Sequence, residues 1–278
     1  MNITGIIPVY NGIDTTQRAI QSLISQTHVL NEIIVVDDGS TDGTADLLKR
    51  LESQIPSLRV IYQKNKGVAS ARNCAIRESK SEYILTLDAD DYYEPSFAAK
   101  ALKLFENDEK LGAVMCGYTR VVNERKTLHY TPPTIDLESC LANNGALSCL
   151  LFKRQAIMDA GCYDPEFTAG FEDWDLNIRI LKKGYSFGVV PEVLFHYTSR
   201  PNSRSTNADQ NEVELRLQLF YKYRIDYERH LEAVYRKLFE QIVQLRKQNV
   251  LLRGKSFYLL QESSDRLIYK LKKLCGLN

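Results

Sequence analysis

Short apolar runs alternate with one-faced helical stretches through the first 122 residues of the chain. The predicted strands are Ile3–Val9, Glu32–Val36, Leu58–Tyr62, Glu82–Leu87 and Ala113–Val122. The predicted helices are Asp14–Ser25, Ala45–Leu51, Val68–Glu78 and Phe97–Asn107. The helix at 45–51 is expected to be capped by the Ser40/Thr41 region. Because strands and helices alternate, we predict an α/β domain with a mostly parallel sheet and helices on both faces.

The pattern becomes less regular between residues 123 and 205. The elements predicted there are a strand at Ala146–Phe152, a helix at Asp175–Lys183 and a strand around Val189–His196. Such a stretch is typical of α+β material that completes the same domain. We therefore predict one domain over residues 1–206 and a helical extension over residues 207–278.

The extension carries a heptad pattern without proline. Leucines recur every seven residues at Leu231, Leu238, Leu245 and Leu252, and Asn249 stands four residues after the third of them. Leu at d with one Asn at a is typical of a parallel two-stranded coiled coil, which would form a homodimer through residues 228–256. The alternative is one long amphipathic helix packed on its own catalytic domain.

The end of the extension is basic and amphipathic. Residues 246–278 contain eight basic and two acidic side chains, interleaved with aromatic and aliphatic ones. Such a segment can touch an anionic membrane surface, and it can equally form a solvated basic face.

Composition narrows the class of protein. The 278 residues carry 36 Lys and Arg against 35 Asp and Glu, so the overall charge does not favour a nucleic-acid partner. The six cysteines lack metal-site spacing, which fits a reducing compartment rather than a disulfide framework. Residues 1–9 have no basic leader, and no apolar stretch approaches a membrane span. We expect a cytoplasmic protein whose tail is the candidate peripheral contact with the inner face of the membrane.

The tripeptide Asp88-Ala89-Asp90 directly follows the apolar run 83–87. A strand that ends in two carboxylates puts them at the carboxyl edge of the sheet, where open α/β sheets bind ligands. Two hard oxygen ligands at this edge suit Mg²⁺ or Mn²⁺ on a phosphate better than Zn²⁺. The simpler alternative is an acidic turn, because Asp is a common turn residue.

Other polar clusters follow neighbouring predicted strands. They are Pro8-Val9-Tyr10-Asn11-Gly12, the acidic Gly-Ser-Thr segment 36–44, the helix start 67–73 and the Phe-Glu-Asp-Trp-Asp segment 171–175. In order and spacing, residues 1–205 resemble glycosyltransferase family 2, which has the GT-A nucleotide-diphospho-sugar transferase fold. Each motif alone is weak, but the full set in order is strong evidence.

The resemblance implies a nucleotide site in the first loops. The implied contacts are Pro8, Tyr10, Asn11, Asp38, Lys66, Arg72, Asp88 and Ala89. Asp38 is assigned to uracil, with helix capping as its alternative role. Arg72 can form a two-point contact with a phosphate or a base carbonyl, and a salt bridge to a neighbouring Asp is compatible with that role. Lys66 is a weaker candidate for the pyrophosphate.

The resemblance also implies a divalent ion, Mn²⁺ or Mg²⁺, that bridges the two phosphates and takes up charge as the nucleoside diphosphate leaves. Asp90 is implied to bind this ion directly, and Asp88 to reach the ribose or the ion through water. His196 is a candidate third ligand, as a histidine is in some relatives, although a lone histidine at a strand end is more often structural. Asp91 is expected to face solvent.

Asp173 is the candidate general base. Its Glu-Asp pair starts a predicted helix, so capping of that helix is the alternative. The helix dipole lowers a carboxylate pKa, whereas burial and the adjacent Glu172 and Asp175 raise it. In inverting members of the family the Glu-Asp motif supplies the base that deprotonates the acceptor hydroxyl. Trp174 is expected either to stack on an acceptor sugar or to pack in the core.

The segment 196–205 departs from the family pattern. Relatives carry a Tyr-Arg-x-His or Arg-Pro-Gly-Ser segment in this loop near the diphosphate, whereas this chain has Thr198 where Arg is frequent and Asn202 where Gly is common. Arg200 and Arg204 remain as the candidate phosphate contacts, with Glu172 and Trp174 as further candidates for diphosphate or acceptor contacts.

The resemblance, carried by these motifs, implies an inverting, metal-dependent glycosyltransferase that moves a sugar from a UDP-sugar to a hydroxyl of a glycan or lipid-linked acceptor in surface polysaccharide assembly. A nucleotidyltransferase on the same fold would need a Gly-rich basic loop after the first strand, and 8–12 does not provide one. A non-catalytic scaffold acting through the C-terminal helix would predict loss of Asp90 or Asp173, and both are present.

Overall fold

A computed structural model describes residues 1–122, 125–199, 208 and 210–253. The chain divides into two compact units, Met1–Arg224 and Ile225–Asn278. The first unit contains the sheet and the helices around it, and it extends past residue 206 to include the helix Glu212–Lys222.

Strand and helix bounds in the first 122 residues follow the predicted pattern to within a few residues. The strands of the sheet are β1 (Ile3–Val9), β2 (Glu32–Asp37), β3 (Leu58–Tyr62), β4 (Tyr83–Thr86), β5 (Tyr92–Tyr93), β6 (Leu111–Val122), β7 (Arg125–Tyr130), β8 (Leu151–Lys153) and β9 (Ser186–Thr198). The helices of the first unit are α1 (Thr16–Ile24), α2 (Thr44–Gln54), α3 (Val68–Glu78), α4 (Phe97–Asn107), α5 (Leu137–Ala142), α6 (Arg154–Asp159), α7 (Glu172–Lys182) and α8 (Glu212–Lys222).

The sheet has a parallel half and a mixed half. Its strand order is β3-β2-β1-β4-β8-β6-β9-β5, with β7 paired to β6. Strands β3, β2, β1 and β4 are parallel, whereas β8 runs antiparallel to both β4 and β6. The β1 side chains are buried along the whole strand, as expected for a parallel strand with both faces covered. The predicted α/β fold class is confirmed.

The elements missed by the sequence pattern lie mostly in the mixed half. The strand predicted at Ala146–Phe152 is the three-residue β8, and β5, β7, α5 and α6 had no predicted counterpart. These elements have six residues or fewer, so they offer little periodicity to read. Their pairing depends on distant segments, as when Tyr92 of β5 lies opposite His196 of β9.

The expected cap of α2 is also different. Gly43 is the N-cap residue and makes no side-chain capping hydrogen bond. Asp42 Oδ1 instead accepts hydrogen bonds from the Thr44 amide at 3.0 Å and from the Thr44 hydroxyl at 2.5 Å. An acidic side chain one residue later than the Ser40/Thr41 region therefore fixes the start of the helix.

The C-terminal segment contains helices α9 (Arg224–Arg229) and α10 (Leu231–Arg253). Helix α10 spans the heptad leucines, and Leu231, Tyr235, Phe239 and Leu245 on it are exposed. Among the described residues, no helix is both long enough and apolar enough to cross a bilayer. The predicted homodimer stays a prediction, as does the membrane contact, which falls largely on residues 254–278 outside the described part of the chain.

Candidate active site

Loops from β1, β2 and β4 meet at one edge of the sheet. Val9 at the end of β1 pairs with Asp37 at the end of β2, and β4 pairs with the other side of β1. The Asn11 amide donates to Ser40 Oγ at 2.9 Å, and Asn11 Oδ1 accepts from the Thr41 amide at 2.8 Å. The sheet thus brings together three of the clusters that follow predicted strands.

Within the first loop, Pro8 is buried whereas the Tyr10 side chain is 52% exposed. A Cβ placed on Gly12 would come within 3.7 Å of the Ala89 Cβ, so the first loop borders the tripeptide that follows β4. An exposed aromatic ring beside a carboxyl-edge crevice is suitably placed to contact a planar ligand group. The nucleotide contacts assigned to Pro8, Tyr10, Asn11 and Ala89 stay predictions.

The Asp38 carboxylate organises the loop before α3. Its Oδ1 accepts hydrogen bonds from Gln63 Nε2 at 2.7 Å and from the Lys66 amide at 2.9 Å, and its Oδ2 accepts from the Gly67 amide at 2.8 Å. Gly67 has φ +85°, in a region that L side chains rarely adopt, which explains a glycine at this turn. Asp38 therefore fixes the backbone beside the predicted uracil site. The Lys66 side chain is exposed.

Arg72 joins two carboxylates inside the protein. The side chain is 2% exposed, its Nη2 lies 2.5 Å from Asp88 Oδ1, and its Nη1 lies 2.8 Å from Glu172 Oε1. The guanidinium also stacks over the Tyr163 ring, at 5.1 Å from the ring centroid. The two carboxylates raise the pKa of Arg72 against the lowering effect of its burial. Arg72 thus forms the predicted salt bridge, and a direct nucleotide contact would require it to leave these partners.

Asp91 is buried, which corrects the expectation that it faces solvent. It is 1% exposed, and its Oδ1 accepts a hydrogen bond from the Thr198 amide at 2.7 Å. Burial, together with the neighbouring Asp90 and Asp88 charges, raises the pKa of Asp91 well above its usual range. The carboxyl group ties the loop after β4 to the end of β9.

The donor set near Asp88 fits a hard divalent cation only in part. Ligand atoms of Asp88, Asp91 and Cys149 lie within 4.8 Å of one another. Carboxylate oxygens suit Mg²⁺ or Mn²⁺, whereas a thiol is a soft ligand. Burial also raises the pKa of Cys149, which keeps the thiol protonated. Of these three groups, the Asp88 carboxylate therefore suits the predicted ion, whereas the thiol does not, and the raised pKa of the buried Asp91 favours its neutral form. Asp90, the predicted direct ligand, is half-buried in the same loop.

His196 makes its own contacts, apart from the group formed by Asp88, Asp91 and Cys149. Its Nε2 lies 2.6 Å from Glu94 Oε1, and its ring stacks on Tyr92 with centroids 4.2 Å apart. Burial lowers the pKa of His196, and Glu94 acts in the opposite direction. Among the described residues, no group of three possible metal ligands includes His196. These contacts match the structural role that is common for a histidine at a strand end. The role of His196 as a metal ligand stays a prediction.

Asp173 lies in the first turn of α7, partly exposed, next to the buried Glu172. Its Oδ2 accepts a hydrogen bond from Asn144 Nδ2 at 3.1 Å. Because Glu172 pairs with Arg72, and Arg72 pairs with Asp88, the Glu-Asp motif lies close to the end of β4. An accessible carboxylate beside this edge can accept a proton from a bound hydroxyl. Its role as the base stays a prediction.

Trp174 is a core residue, which corrects the expectation that it stacks on an acceptor sugar. It is 2% exposed, and its Nε1 donates to the Cys140 carbonyl at 2.5 Å. The Arg216 guanidinium lies 4.9 Å from the Trp174 ring centroid, and Phe171 packs at the same centroid distance. The core-packing alternative is the one found here.

Helix α8 supplies side chains that sequence reasoning missed. Asp175 is fully buried, and its Oδ1 lies 2.6 Å from both Tyr223 Oη and Lys222 Nζ. Arg179 holds the other oxygen, with Nη2 to Oδ2 at 2.6 Å. Arg179 follows Asp175 at the i,i+4 spacing of a helix, whereas no spacing rule links Asp175 to Lys222 or Tyr223. Arg200 and Arg204 lie outside the described residues, so their predicted phosphate contacts stay predictions.

Comparison with known families gives the chain its class. Residues 4–158 match the family described as Glycosyl transferase family 2, which is more than half of the chain. The chain belongs to glycosyltransferase family 2. This confirms the resemblance inferred from the motifs and the predicted enzyme class.

Among curated proteins, the family member is similar to poly-beta-1,6-N-acetyl-D-glucosamine synthase of Staphylococcus aureus strain MSSA476. The two are 28% identical over 200 residues, covering 68% of this chain and 48% of the relative. It is also similar to the uncharacterized glycosyltransferase EpsJ of Bacillus subtilis strain 168, with 26% identity over 240 residues, 81% of this chain and 69% of that protein. The chain spans about half the length of the synthases it matches.

Among solved structures, the family member is similar to TarS 1–349 of S. aureus. The TM-score is 0.60 at 21% identity, and the match covers 71% of this chain and 60% of that one. TarS 1–349 in complex with UDP-GlcNAc gives the same score, with 74% and 61% coverage. This likeness supports the predicted GT-A fold.

Proposed function

We propose that this family 2 member is an inverting, metal-dependent glycosyltransferase that moves one sugar from a UDP-sugar to a hydroxyl of a glycan or lipid-linked acceptor in surface polysaccharide assembly. The observation that carries the proposal is the buried Arg72, which pairs with Asp88 at 2.5 Å and with Glu172 at 2.8 Å. This arrangement joins the acidic tripeptide after β4 to the Glu-Asp motif, so donor and acceptor groups can meet at one edge of the sheet.

The proposed donor rests on relatives. TarS has been crystallised with UDP and with UDP-GlcNAc, and the matching synthases make a polymer of N-acetylglucosamine by their name. In this chain, Asp38 is the candidate partner for a uracil imide, because its carboxylate lies at the switch-point edge where such ligands bind. UDP-GlcNAc is therefore the first donor to test.

In the proposed reaction, Asp173 accepts the proton of the acceptor hydroxyl while the hydroxyl oxygen attacks the anomeric carbon. The bond from that carbon to the diphosphate breaks in the same step, and its electron pair stays on the diphosphate oxygen, so the anomeric configuration inverts. When bound, Mn²⁺ or Mg²⁺ supplies positive charge at this leaving group, and Asp90 and Asp88 are the residues proposed to hold it. Arg72 keeps Asp88 oriented through its 2.5 Å ion pair.

The test is release of nucleoside diphosphate from a panel of nucleotide-sugars with Mn²⁺, for the wild type and for Asp90→Ala and Asp173→Ala. Turnover of one donor that both changes abolish is the expected result. The exposed Asp46, which pairs with the exposed Lys49, provides the control Asp46→Ala, which should retain wild-type turnover. Calorimetric titration with UDP runs in parallel. Absence of UDP binding and of any turnover would favour the scaffold alternative.

We also propose that the part of the predicted extension after α8, residues 225–278, acts outside the chemistry, through a homodimer at 228–256 and peripheral contact at 246–278 with the inner face of the membrane. The exposed apolar residues of α10 and the basic composition of the tail support this. Truncation after residue 224 is better suited to test it than truncation at 207, because α8 belongs to the first compact unit. If the full chain is a dimer in solution and the truncated protein remains a dimer, the coiled coil is excluded.

A further inference from the structure

The side chain of Asn144 lies between two residues of α7. Its Nδ2 donates to Asp173 Oδ2 at 3.1 Å, and its Oδ1 accepts from Asn177 Nδ2 at 3.3 Å. Asn177 is 1% exposed, so the second contact is anchored in the core. Asn144 follows α5 in a stretch that lacks any recognisable motif.

The partners of Asn144 fix the orientation of its amide group. The Ala146 amide can only donate, and it lies 3.3 Å from Asn144 Oδ1. An ionised carboxylate can only accept, so the nitrogen of the amide must face Asp173. A flipped amide would lose both contacts. The side chain is therefore held from one end and presents a donor to the candidate base at the other.

The segments that carry Asn144 and Asp173 are braced together. Trp174, next to Asp173, donates to the Cys140 carbonyl in α5 at 2.5 Å. Arg216 of α8 lies over the Trp174 ring and donates to the Ala142 carbonyl at 3.3 Å and to Asn143 Oδ1 at 3.2 Å. The Arg216 guanidinium thus contacts both Trp174, which follows Asp173, and Asn143, which precedes Asn144.

We propose that Asn144 is the positioning residue for Asp173, and that Arg216 of α8 holds the two segments in register. The inference rests on the proposed function, in which Asp173 is the base. The inference adds Asn144, from a segment without a motif, to the acceptor side of the proposed site. It also adds α8, a helix that lies beyond the predicted catalytic domain.

The physical effect of such a donor is twofold. It holds the carboxylate in one rotamer, so that the reacting oxygen meets the hydroxyl in a fixed direction. It also favours the ionised form, which a base requires. Among the described residues, the charged and titratable groups near Asp173 include Glu172 and Asp175 on α7, Cys140 on α5, Arg216 on α8, and Tyr163 and Arg72.

The experiment compares Asn144→Ala and the isosteric Asn144→Asp with wild type. The first readout is the carboxyl titration of Asp173, followed by carbon NMR with labelled aspartate and assigned through Asp173→Asn. We expect the Asp173 pKa to rise in Asn144→Ala, and to rise further in Asn144→Asp because a second carboxylate then faces it. This readout needs no turnover, so it does not depend on the proposed reaction.

The second readout is UDP release from UDP-GlcNAc with Mn²⁺ across pH. We expect kcat for Asn144→Ala to fall about 10- to 100-fold, with the acid limb of its pH profile moved upward and the UDP affinity unchanged. Asn107, exposed at the end of α4, donates from its side chain to the Lys103 carbonyl and provides the matched control Asn107→Ala, which should behave as wild type. Arg216→Ala should move kcat in the same direction by less.

Two results would overturn the proposal. One is an unchanged Asp173 titration with wild-type kcat in both Asn144 variants. The other is a loss of kcat matched by equal losses of UDP affinity and Tm, because that pattern indicates general loss of structure. If Asp173→Asn itself keeps full turnover, the proposed function fails, whereas the titration still decides whether Asn144 controls Asp173.

Discussion

The two halves of the proposed active site, a donor side and an acceptor side, are built in different ways. On the donor side, the carboxylate of Asp38 holds neighbouring backbone amides, at 2.9 Å to Lys66 and 2.8 Å to Gly67, within loops that directly follow parallel strands. On the acceptor side, the contacts join side chains from separate helices, as in Asn144 to Asp173 at 3.1 Å and Tyr223 to Asp175 at 2.6 Å.

The difference is one between contacts within short segments of the chain and contacts between segments that are distant in sequence. A donor pocket made of strand ends and helix starts is defined by short segments, so similar loops can serve many members of a family. An acceptor side assembled from α5, α7 and α8 depends on how distant segments pack, and it can vary without altering the first half. Members of the family can thus share one donor chemistry while their acceptor surfaces differ from one another.

Arg72 offers the strongest test, because it contacts both halves. Arg72→Met would leave the Asp88 and Glu172 carboxylates, the latter 6% exposed, without their buried partner. We expect the free energy of unfolding to fall by about 3–5 kcal/mol, with loss of both UDP binding and turnover. Chemical denaturation and UDP titration measure these effects. If only UDP binding or only turnover fell, Arg72 would support one half of the site and not both.

Asp38 should separate the halves. Asp38→Ala removes the acceptor of three hydrogen bonds from Gln63, Lys66 and Gly67. We expect UDP affinity to fall about 10- to 100-fold, equivalent to about 1.4–2.8 kcal/mol. The Asp173 titration should remain unchanged, because the change lies on the donor side. An equal disturbance of Asp173 would mean that the two halves are not independent.

Tyr223 provides the corresponding change on the acceptor side. Tyr223 is 4% exposed, and its hydroxyl donates to the buried Asp175 carboxylate at 2.6 Å. Tyr223→Phe should lower the free energy of unfolding by about 1–3 kcal/mol through the lost hydrogen bond to a charged group, with UDP affinity unchanged. Tyr221→Phe is the control, since Tyr221 is 70% exposed. A weaker UDP affinity in Tyr223→Phe would contradict the separation.

The smallest expected effect concerns His196, at the junction of β5 and β9. Burial lowers its pKa, so the unfolded chain binds a proton before the folded chain does. Its contribution to stability is therefore present above the unfolded pKa of about 6.5 and is lost as pH falls through the lower folded pKa. The Tm of wild type should drop more than that of His196→Phe between about pH 7.5 and pH 5.5. Equal slopes would mean that the contact with Glu94 offsets burial, so that the folded and unfolded pKa values of His196 coincide, and a smaller drop in wild type would mean that Glu94 raises the folded pKa.

Much of the donor half could be predicted from the sequence. The strand Ile3–Val9 and the helices Val68–Glu78 and Phe97–Asn107 agree with the pattern at both ends. The strand is easy to recognise because both of its faces are buried, which gives a continuous apolar run, and the helices are recognisable by their one apolar face. The burial of Asp91 could not be predicted from its local sequence. A third acidic residue in a turn gives no sign that the end of β9 will cover it.

The acceptor half could be predicted only where a motif marks it. The Glu-Asp pair was recognised, whereas Asn144, Arg216 and Tyr223 carry no spacing that links them to it. The start of α5 did leave a local signal, because Asp136 and Ser139 form a reciprocal capping box. That signal marks a helix, but it does not tell which helix will lie opposite.

The sequence by itself determined the family, the parallel half of the sheet and the residues that end its strands, because hydrophobic periodicity and loop chemistry act over a few residues. Only the tertiary structure decided that Arg72 joins Asp88 to Glu172, that Trp174 is a core residue and that α8 packs against α7. The physical reason is that burial and ion pairing depend on which distant segments meet, and in this chain those segments are separated by an antiparallel strand and by loops without regular pattern.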